Sequence, residues 1–517
     1  MSIRRFSAAF AATLVVGAVT GAQGAVAAPV TDTSALTEAV TAEGVLAHMQ
    51  EFQDIADANG GTREASTPGY TASADYVAEL MEQAGYTVTR QEFEYNYFEE
   101  LAPATLAGTS AGFPYPYVEG TDIATMGYSG SGSFSGVVQE VDVVVPLPVG
   151  QADGTSNSGC EPEDFAGFTG DIALIQRGTC DFSVKIANAV AAGAEAVIIF
   201  NEGNSPERTE VGFGQATFPQ DVPVLEMSAA DGAALVEFIR SERQASRVVT
   251  LTGSTTTVSQ VRTSENVIAD SPDGRTDRVV VSGAHLDSVI EGPGINDNAS
   301  GSAGQLETAL ELAALDIELE NQVRFIWFGA EESGLVGSQF YVDSLTARET
   351  KDIAVMLNFD MIASPNAGWF VYDGDASDTA STGSTGSGVV EDVFVDYFES
   401  IGRVTKPTAF DGRSDYDAFV AAGIPAGGLF TGAEDIKQPD EVAIWGGTAG
   451  VAYDPCYHAA CDTIDNVNLV ALDEMSDALA HALLTFAMST SAVEGTAKGN
   501  AKGRQYDPSF KGHLAIR

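Results

Sequence analysis

Val279-Val-Val-Ser-Gly-Ala-His285-Leu-Asp287 is an apolar β-type run that stops on a histidine and an aspartate. Two later runs end in the same way: Val323 to Phe328 leads into Glu331 and Glu332, and Ile353 to Phe359 leads into Asp360. In an open α/β sheet, ligands bind beyond the carboxyl ends of the strands, so these ends predict one convergent site. Asp297, in the loop Gly294-Ile-Asn-Asp297-Asn-Ala-Ser-Gly, and His458, after Cys456 and Tyr457, complete a nitrogen and oxygen donor set suited to a pair of divalent ions. The pattern reads as a hydrolase.

Asp297 is the natural bridge, because its glycine-flanked loop can approach both ions. His285 with Asp360 then holds one ion and Glu332 with His458 the other, which leaves Glu331 unligated. A free carboxylate beside a metal-held water is a general base that takes the water's proton and later hands it to the leaving amine. The ions bring the pKa of that water toward ~7, so hydroxide is available for attack near neutral pH. Asp287 is expected to orient the His285 imidazole, and Tyr457 to donate its hydroxyl to the developing oxyanion. Taken singly, these residues say little: a histidine at a strand end is usually structural, and an adjacent Glu pair is usually solvated. His48, His481 and His513 join no comparable constellation. The joint occurrence, each donor past an apolar run or in a glycine loop, carries the reading.

A chain of 517 residues exceeds the usual limit for one core, so two domains and processed ends are expected. Arg4 and Arg5 precede an apolar stretch from Phe6 to about Gly21, and Ala25-Val26-Ala27 offers a cleavage site, which reads as a signal peptide over 1–27. That stretch is short of the ~20 residues needed to span a bilayer, and no other run is long enough. Cys160 and Cys180, and Cys456 and Cys461, form two local pairs; in an exported protein these read as disulfides. With 73 acidic against 25 basic residues the net charge is -48, which excludes nucleic acid and anionic membranes as partners and favours cationic peptides. Residues 489–517 reverse this balance with Lys498, Lys502, Arg504, Lys511 and Arg517, and read as a disordered tail, removable or inhibitory.

Helical spacing from Val45 to Phe52 and from Ala72 to Ala84 brackets a turn-rich loop, with Ser73 as a start signal for the second helix. Tyr86 to Phe93 alternates as a strand. Residues 130–249 change character: a β run from Val137 to Val145, then Asp171-Ile-Ala-Leu-Ile-Gln-Arg-Gly-Thr-Cys180, a helix from Phe182 to Gly193, and Ala196-Val-Ile-Ile-Phe200. This is an α+β module with its own core. With Gln176-Arg177-Gly178, Ala194-Glu195-Ala196-Val197 and Val222-Pro223-Val224 it closely resembles the protease-associated domain, a resemblance that implies a lid or flanking module rather than a catalytic unit. The α/β pattern resumes after Asn266, with helices from Gly301 to Leu315 and Gly337 to Leu345. The expected fold is therefore α/β, a mixed central sheet flanked by helices. It is built from 31–129 and 250–488 with the module inserted, and Asp375 to Gly388 forms an exposed loop.

His285-Leu-Asp287-Ser, Phe328-Gly-Ala-Glu331-Glu332-Ser-Gly-Leu-Val-Gly-Ser, Asn358-Phe-Asp360-Met-Ile, Asp411-Gly-Arg413-Ser-Asp415-Tyr, Gly428-Leu-Phe-Thr-Gly-Ala-Glu434 and Asp454-Pro-Cys-Tyr457-His458 resemble the secreted di-zinc aminopeptidases of the actinobacterial leucyl aminopeptidase and aminopeptidase Y type. The resemblance spans nearly all of the mature chain outside the tail. It implies the zinc exopeptidase fold, two zinc ions on His285, Asp297, Glu332, Asp360 and His458, and catalytic roles for Glu331 and Tyr457. It also implies an apolar pocket of Met361, Gly412 and Phe430 for the first side chain, and a free amine received by Glu331, Asp360 and the backbone near Arg413. A cis peptide between Asp297 and Asn298 is a further implication. Relatives carry a calcium ion; Asp473 and Asp477 match half of that site, whereas Ala39, beside Glu38, stands where the other half would contribute. The implied enzyme is secreted and acts on peptide and protein N-termini, with large apolar residues preferred; a monomer is expected, though nothing in the sequence fixes the oligomeric state. The rivals are a carboxypeptidase or cyclotransferase on the same scaffold, for which Arg413 could clamp a carboxylate, and a binding protein with a dead peptidase core.

Overall fold

The computed structural model describes residues 31–109, 113, 117–152, 154–381 and 383–493. The expected signal peptide and most of the basic tail, with His513, lie outside the described residues.

The catalytic half is a mixed sheet. Strands Ala426–Phe430, Ile353–Phe359, Arg275–His285 and Asn321–Phe328 are neighbours in that order and run parallel. Thr250–Asp270 pairs antiparallel with Asn321–Phe328, and Phe370–Tyr372 antiparallel with Ala426–Phe430. All residues of Ile353–Phe359 are buried, as expected of a parallel strand covered on both faces. Helices Ala42–Ala58, Pro68–Gln83, Ser300–Ala314, Ser387–Ser400 and Leu469–Met488 cover one face, with Trp327, Phe325, Phe359 and Phe394 in the shared core. The shorter helices Val336–Ser344 and Tyr416–Ala421 cover the other through Tyr341, Phe419, Phe328 and Met356. Among the described residues, no helix is long and apolar enough to cross a membrane.

Several boundaries differ from the sequence expectation, each for a physical reason. The second helix starts at Pro68, not Ser73: Thr67 caps it by accepting from the Tyr70 N–H, and Ser73 is buried inside, its hydroxyl donating to the Gly69 carbonyl. The strand expected over Tyr86 to Phe93 continues to Gly108, because Phe93, Tyr95 and Tyr97 keep one face buried. It pairs with Thr250–Asp270 from Thr87 opposite Asp270 to Gly108 opposite Leu251, and this ribbon runs from the catalytic sheet into the module. There Gly132–Glu140 adds to the far end of Thr250–Asp270, so the two domains share one sheet. The β run expected to reach Val145 stops at Glu140; Asp142 has a φ of 43°, and a cis Pro146 follows.

Inside the module, Gly132–Glu140, Ile172–Gln176, Ala196–Phe200 and Val224–Met227 are parallel neighbours, packed against helices Phe182–Ala191 and Ala229–Gln244. Both disulfides, Cys160–Cys180 and Cys456–Cys461, are formed. The loop expected over Asp375 to Gly388 ends at Gly386, where helix Ser387–Ser400 begins.

Candidate active site

The carboxyl ends of the parallel strands bring the donors together. His285 is the last residue of its strand, Asp360 follows Phe359 directly, and Glu331 and Glu332 lie in the turn after Phe328. Asp297 comes from the loop before helix Ser300–Ala314, and its peptide bond to Asn298 is cis. Asp462 fixes this loop by accepting the N–H groups of Asn296 at 2.9 Å and Asp297 at 3.0 Å, while Asp454 accepts from Asn296 Nδ2 at 2.6 Å. Asp454 and Asp462 also bracket the turn closed by Cys456–Cys461, which carries Tyr457 and His458. One polar network thus positions the bridge candidate and the second histidine together.

The two oxygens of Asp297 face different histidines: Oδ1 is 3.2 Å from His285 Nε2, and Oδ2 is 3.2 Å from His458 Nε2. Asp360 Oδ1 is 3.4 Å from His285 Nε2, and Glu332 Oε2 is 3.2 Å from His458 Nε2. Donors set ~2.0–2.1 Å from a tetrahedral zinc ion stand ~3.3–3.4 Å apart, so these separations are those of ligands around an ion. Asp360 Oδ1 is buried without a hydrogen-bond donor, while Oδ2 accepts from Ser414 Oγ at 2.6 Å. The donor set fits a pair of zinc ions, with Asp297 shared between them.

The ionisable groups reflect the same crowding. Burial works against charge on His285, but Glu331, Asp360 and Asp297 outweigh it and hold its pKa well above the ordinary histidine value. His458 is pushed up to about 11: burial opposes this, and Glu332 and Asp297 prevail. Burial raises the Glu331 carboxyl, with Glu332, Asp415 and Asp360 adding to the effect. Asp287 is pushed up to about 8, chiefly by burial. Its carboxylate lies 3.8 Å from His285 Nδ1 and instead accepts the N–H groups of Glu331 and Glu332, both at 3.2 Å. The nearer acceptor for the imidazole is the Asp287 backbone carbonyl, at 3.1 Å. Asp287 therefore ties the His285 strand end to the Glu331 turn.

Met361, Phe430, Arg413 and Tyr457 line the pocket over this cluster, together with Tyr372, Thr408 and Ala409. Gly412 is not among the lining residues; it is buried behind that wall at a φ of 84°, its N–H donating to the Tyr416 hydroxyl at 3.0 Å. Arg413 donates to Glu434 at 3.1 Å and to the Tyr457 hydroxyl at 3.1 Å, and the Tyr457 ring stacks on His458. His48 and His481 stand apart from the site, paired with Glu307 and Tyr76 and with Thr33. Arg63 and Asp462 carry no site role in the sequence reading, because nothing local marks a residue whose partners here lie 165 to 231 positions away; Tyr372 sits in no motif, and Asp415 enters only as part of one.

Converging donors at strand ends, a spare carboxylate and a lined pocket define a metallopeptidase-type hydrolase site on an α/β fold. The model for peptidase family M28 matches residues 266–483, and that for the PA domain matches 140–235. The chain is 45% identical over 464 residues, 89% of this chain and 83% of the relative, to an aminopeptidase of Pseudomonas aeruginosa. It is 42% identical over 375 residues, 72% of this chain and 70% of the relative, to a probable leucine aminopeptidase 2 of Aspergillus fumigatus. Among solved structures it resembles a zinc aminopeptidase from Bacillus subtilis, with a TM-score of 0.54 and 25% identity over 92% of this chain and 99% of that one. The chain belongs to peptidase family M28, with an inserted PA domain, and is a metalloaminopeptidase.

Proposed function

We propose that the chain is an exported aminopeptidase that uses two zinc ions to release large apolar N-terminal residues, such as Leu, from peptides. The observation that carries the reading is the Asp297 carboxylate, whose two oxygens each stand 3.2 Å from a different histidine. His285, Asp360 and Asp297 would hold one ion, and His458, Glu332 and Asp297 the other. When bound, the ions supply Lewis acidity that brings the pKa of an attacking water toward ~7 and polarises the scissile carbonyl. Glu331 takes the proton of that water and returns it to the departing amine. The Tyr457 hydroxyl is aimed at the carbonyl oxygen as negative charge develops there.

The substrate's free amine meets Glu331 and Asp360, at a mouth that also carries Asp411, Glu434 and Asp435. Met361, Phe430 and Tyr372 offer apolar surface to the first side chain, in keeping with the fungal relative's name. The carboxypeptidase alternative needs an Arg413 free to clamp a carboxylate, yet its guanidinium already serves Glu434 and Tyr457. Two disulfides support export. We assign catalysis to 31–129 and 250–488, and a flanking role to 130–249.

The test is hydrolysis of Leu-p-nitroanilide and of its N-acetylated form, before and after chelation and zinc restoration. Zinc-dependent release from the free-amine substrate alone is expected. Efficient cleavage of the acetylated substrate would overturn the aminopeptidase reading.

A further inference from the structure

Arg63 lies in the turn between helices Ala42–Ala58 and Pro68–Gln83, with none of its surface exposed. Its guanidinium bonds to backbone carbonyls: Nε donates to Pro293 O at 2.9 Å, Nη2 to Gly294 O at 2.7 Å, and Nη1 to Leu286 O. These carbonyls belong to the two loops that carry the donor set. Leu286 sits between His285 and Asp287, while Pro293 and Gly294 open the loop of Asp297. The same turn is stitched to the first loop by Arg63 N donating to Ser288 Oγ at 2.9 Å and Thr62 Oγ1 donating to Val289 O at 2.8 Å. The Phe52 ring closes the far side, 5.2 Å from Cζ.

A buried cation is costly unless its surroundings compensate it. Burial pushes the Arg63 guanidinium down to about 10, and Asp287, Asp462 and Asp297 push back, so it stays charged at neutral pH. Its planar fork presents donors in fixed directions, which a single lysine nitrogen cannot do. That rigidity suits a part that spaces two loops.

The geometry points to Arg63 as a positioning residue of the metal centre: it sets the separation of the His285 and Asp297 loops and hence the donor spacing that zinc requires. It acts through the loops and touches neither substrate nor the ligand side chains. The inference rests on the zinc reading above.

The experiment measures zinc affinity by competition with a chromophoric chelator for the full chain and for Arg63→Lys and Arg63→Met. Leu312→Ala, which truncates the core near the far end of helix Ser300–Ala314, controls for loss of stability alone. Both Arg63 variants should bind zinc about ten- to a hundred-fold more weakly, as loss of an outer contact to a metal site does, while Leu312→Ala keeps the wild-type affinity. An Arg63→Lys affinity within about two-fold of wild type overturns the inference, as does an equal loss in Leu312→Ala. Should neither Arg63 variant fold, Thr62→Val decides: a few-fold weakening supports the positioning role, and an unchanged affinity overturns it. A wild-type chain that takes up no zinc overturns the zinc reading itself, and this inference with it.

Discussion

Buried carboxylates occur in both domains, and those of the module keep different company from those of the donor cluster. In the module, Glu202 is 0% exposed and accepts from the N–H groups of Gly154, Thr155 and Ser156 and from Arg208. Glu226, 1% exposed, accepts from the N–H groups of Gly212, Phe213 and Gly214. In the catalytic domain, Asp360 Oδ1 is buried and accepts no hydrogen bond, and the His285 imidazole 3.4 Å away is its charged neighbour. A buried charge without partners costs several kcal/mol. The module offsets that cost with backbone donors, joined at Glu202 by Arg208 and only partly sufficient at Glu226. In the catalytic domain the acids that frame the site, Asp287, Asp454 and Asp462, are satisfied in the same way, whereas Asp297, Glu332 and Asp360 face the two histidines at spacings that fit cations. What a buried acid faces separates the two sets where burial alone does not.

The sharpest way to break this comparison is Glu331→Gln. It removes the proposed base but no ligand, so kcat should fall about 10²–10⁴-fold while the bound zinc is unchanged. A kcat within about ten-fold of wild type, at full zinc content, would mean that the acid matters for structure only. Next in size is metal removal. Without zinc, His285 and His458 both hold protons at pH 7: burial opposes this, but Glu331 and Asp360 at His285, and Glu332 and Asp297 at His458, prevail. Those protons must leave when zinc enters, so reloading should release on the order of two protons per chain, and zinc affinity should rise steeply with pH. Calorimetry in buffers of different ionisation enthalpy counts them. No release would show that the donors are already deprotonated.

Glu226→Gln probes the other side of the comparison. It should leave kcat/KM for Leu-p-nitroanilide unchanged while costing about 1–3 kcal/mol of stability, read by urea denaturation. The pH dependence adds a sign. Burial pushes the Glu226 carboxyl up from 4.5 to about 7, with its backbone donors only partly offsetting the rise. A folded pKa above the unfolded one gives stability that is complete below pH 4.5 and lost as pH rises through about 7. Glu226→Gln should flatten that decline; an unchanged slope would assign it to other groups.

The fold class and the donor set were legible because each donor sits beside a strong local signal. His285, Glu331, Glu332 and Asp360 follow apolar runs, and Asp297 sits among glycines. What depended on distant partners was not legible. The Thr87–Gly108 strand, 22 residues long, is nearly three times the length expected because pairing with Thr250–Asp270 carries it past the apolar alternation of Phe93, Tyr95 and Tyr97. Gly412 reads as a wall of the pocket from its motif, but a φ of 84° turns its N–H toward Tyr416 and leaves Thr408 and Ala409 facing the cleft. Arg63 sits in a turn-rich stretch whose composition says only "loop"; its partners are 223 to 231 residues away.

The smallest expected effect concerns calcium, which we propose to be at most a weak ligand here. Asp473 and Asp477 lie four residues apart on helix Leu469–Met488, and the Asp477 carboxyl is pushed up to about 7, first by burial and then by Asp473. Glu474 between them pairs with Arg403. Among the described residues, no third acid joins them at ligand distance, and Ala39 supplies no oxygen from its side chain. Calcium takes 6–8 oxygen ligands, so an ion held by this pair would keep most of its water and bind weakly. Saturating calcium added to zinc-loaded enzyme should therefore move Tm by under about 1 °C, measured at pH 8 where Asp477 is ionised. A rise of several degrees that Asp473→Asn abolishes would make this helix a second place where the fold leaves charge for a cation, whereas a rise that survives it would point to Asp373, Asp375 and Glu391. The contrast between the domains would then be one of degree, set by how many acids each cluster gathers.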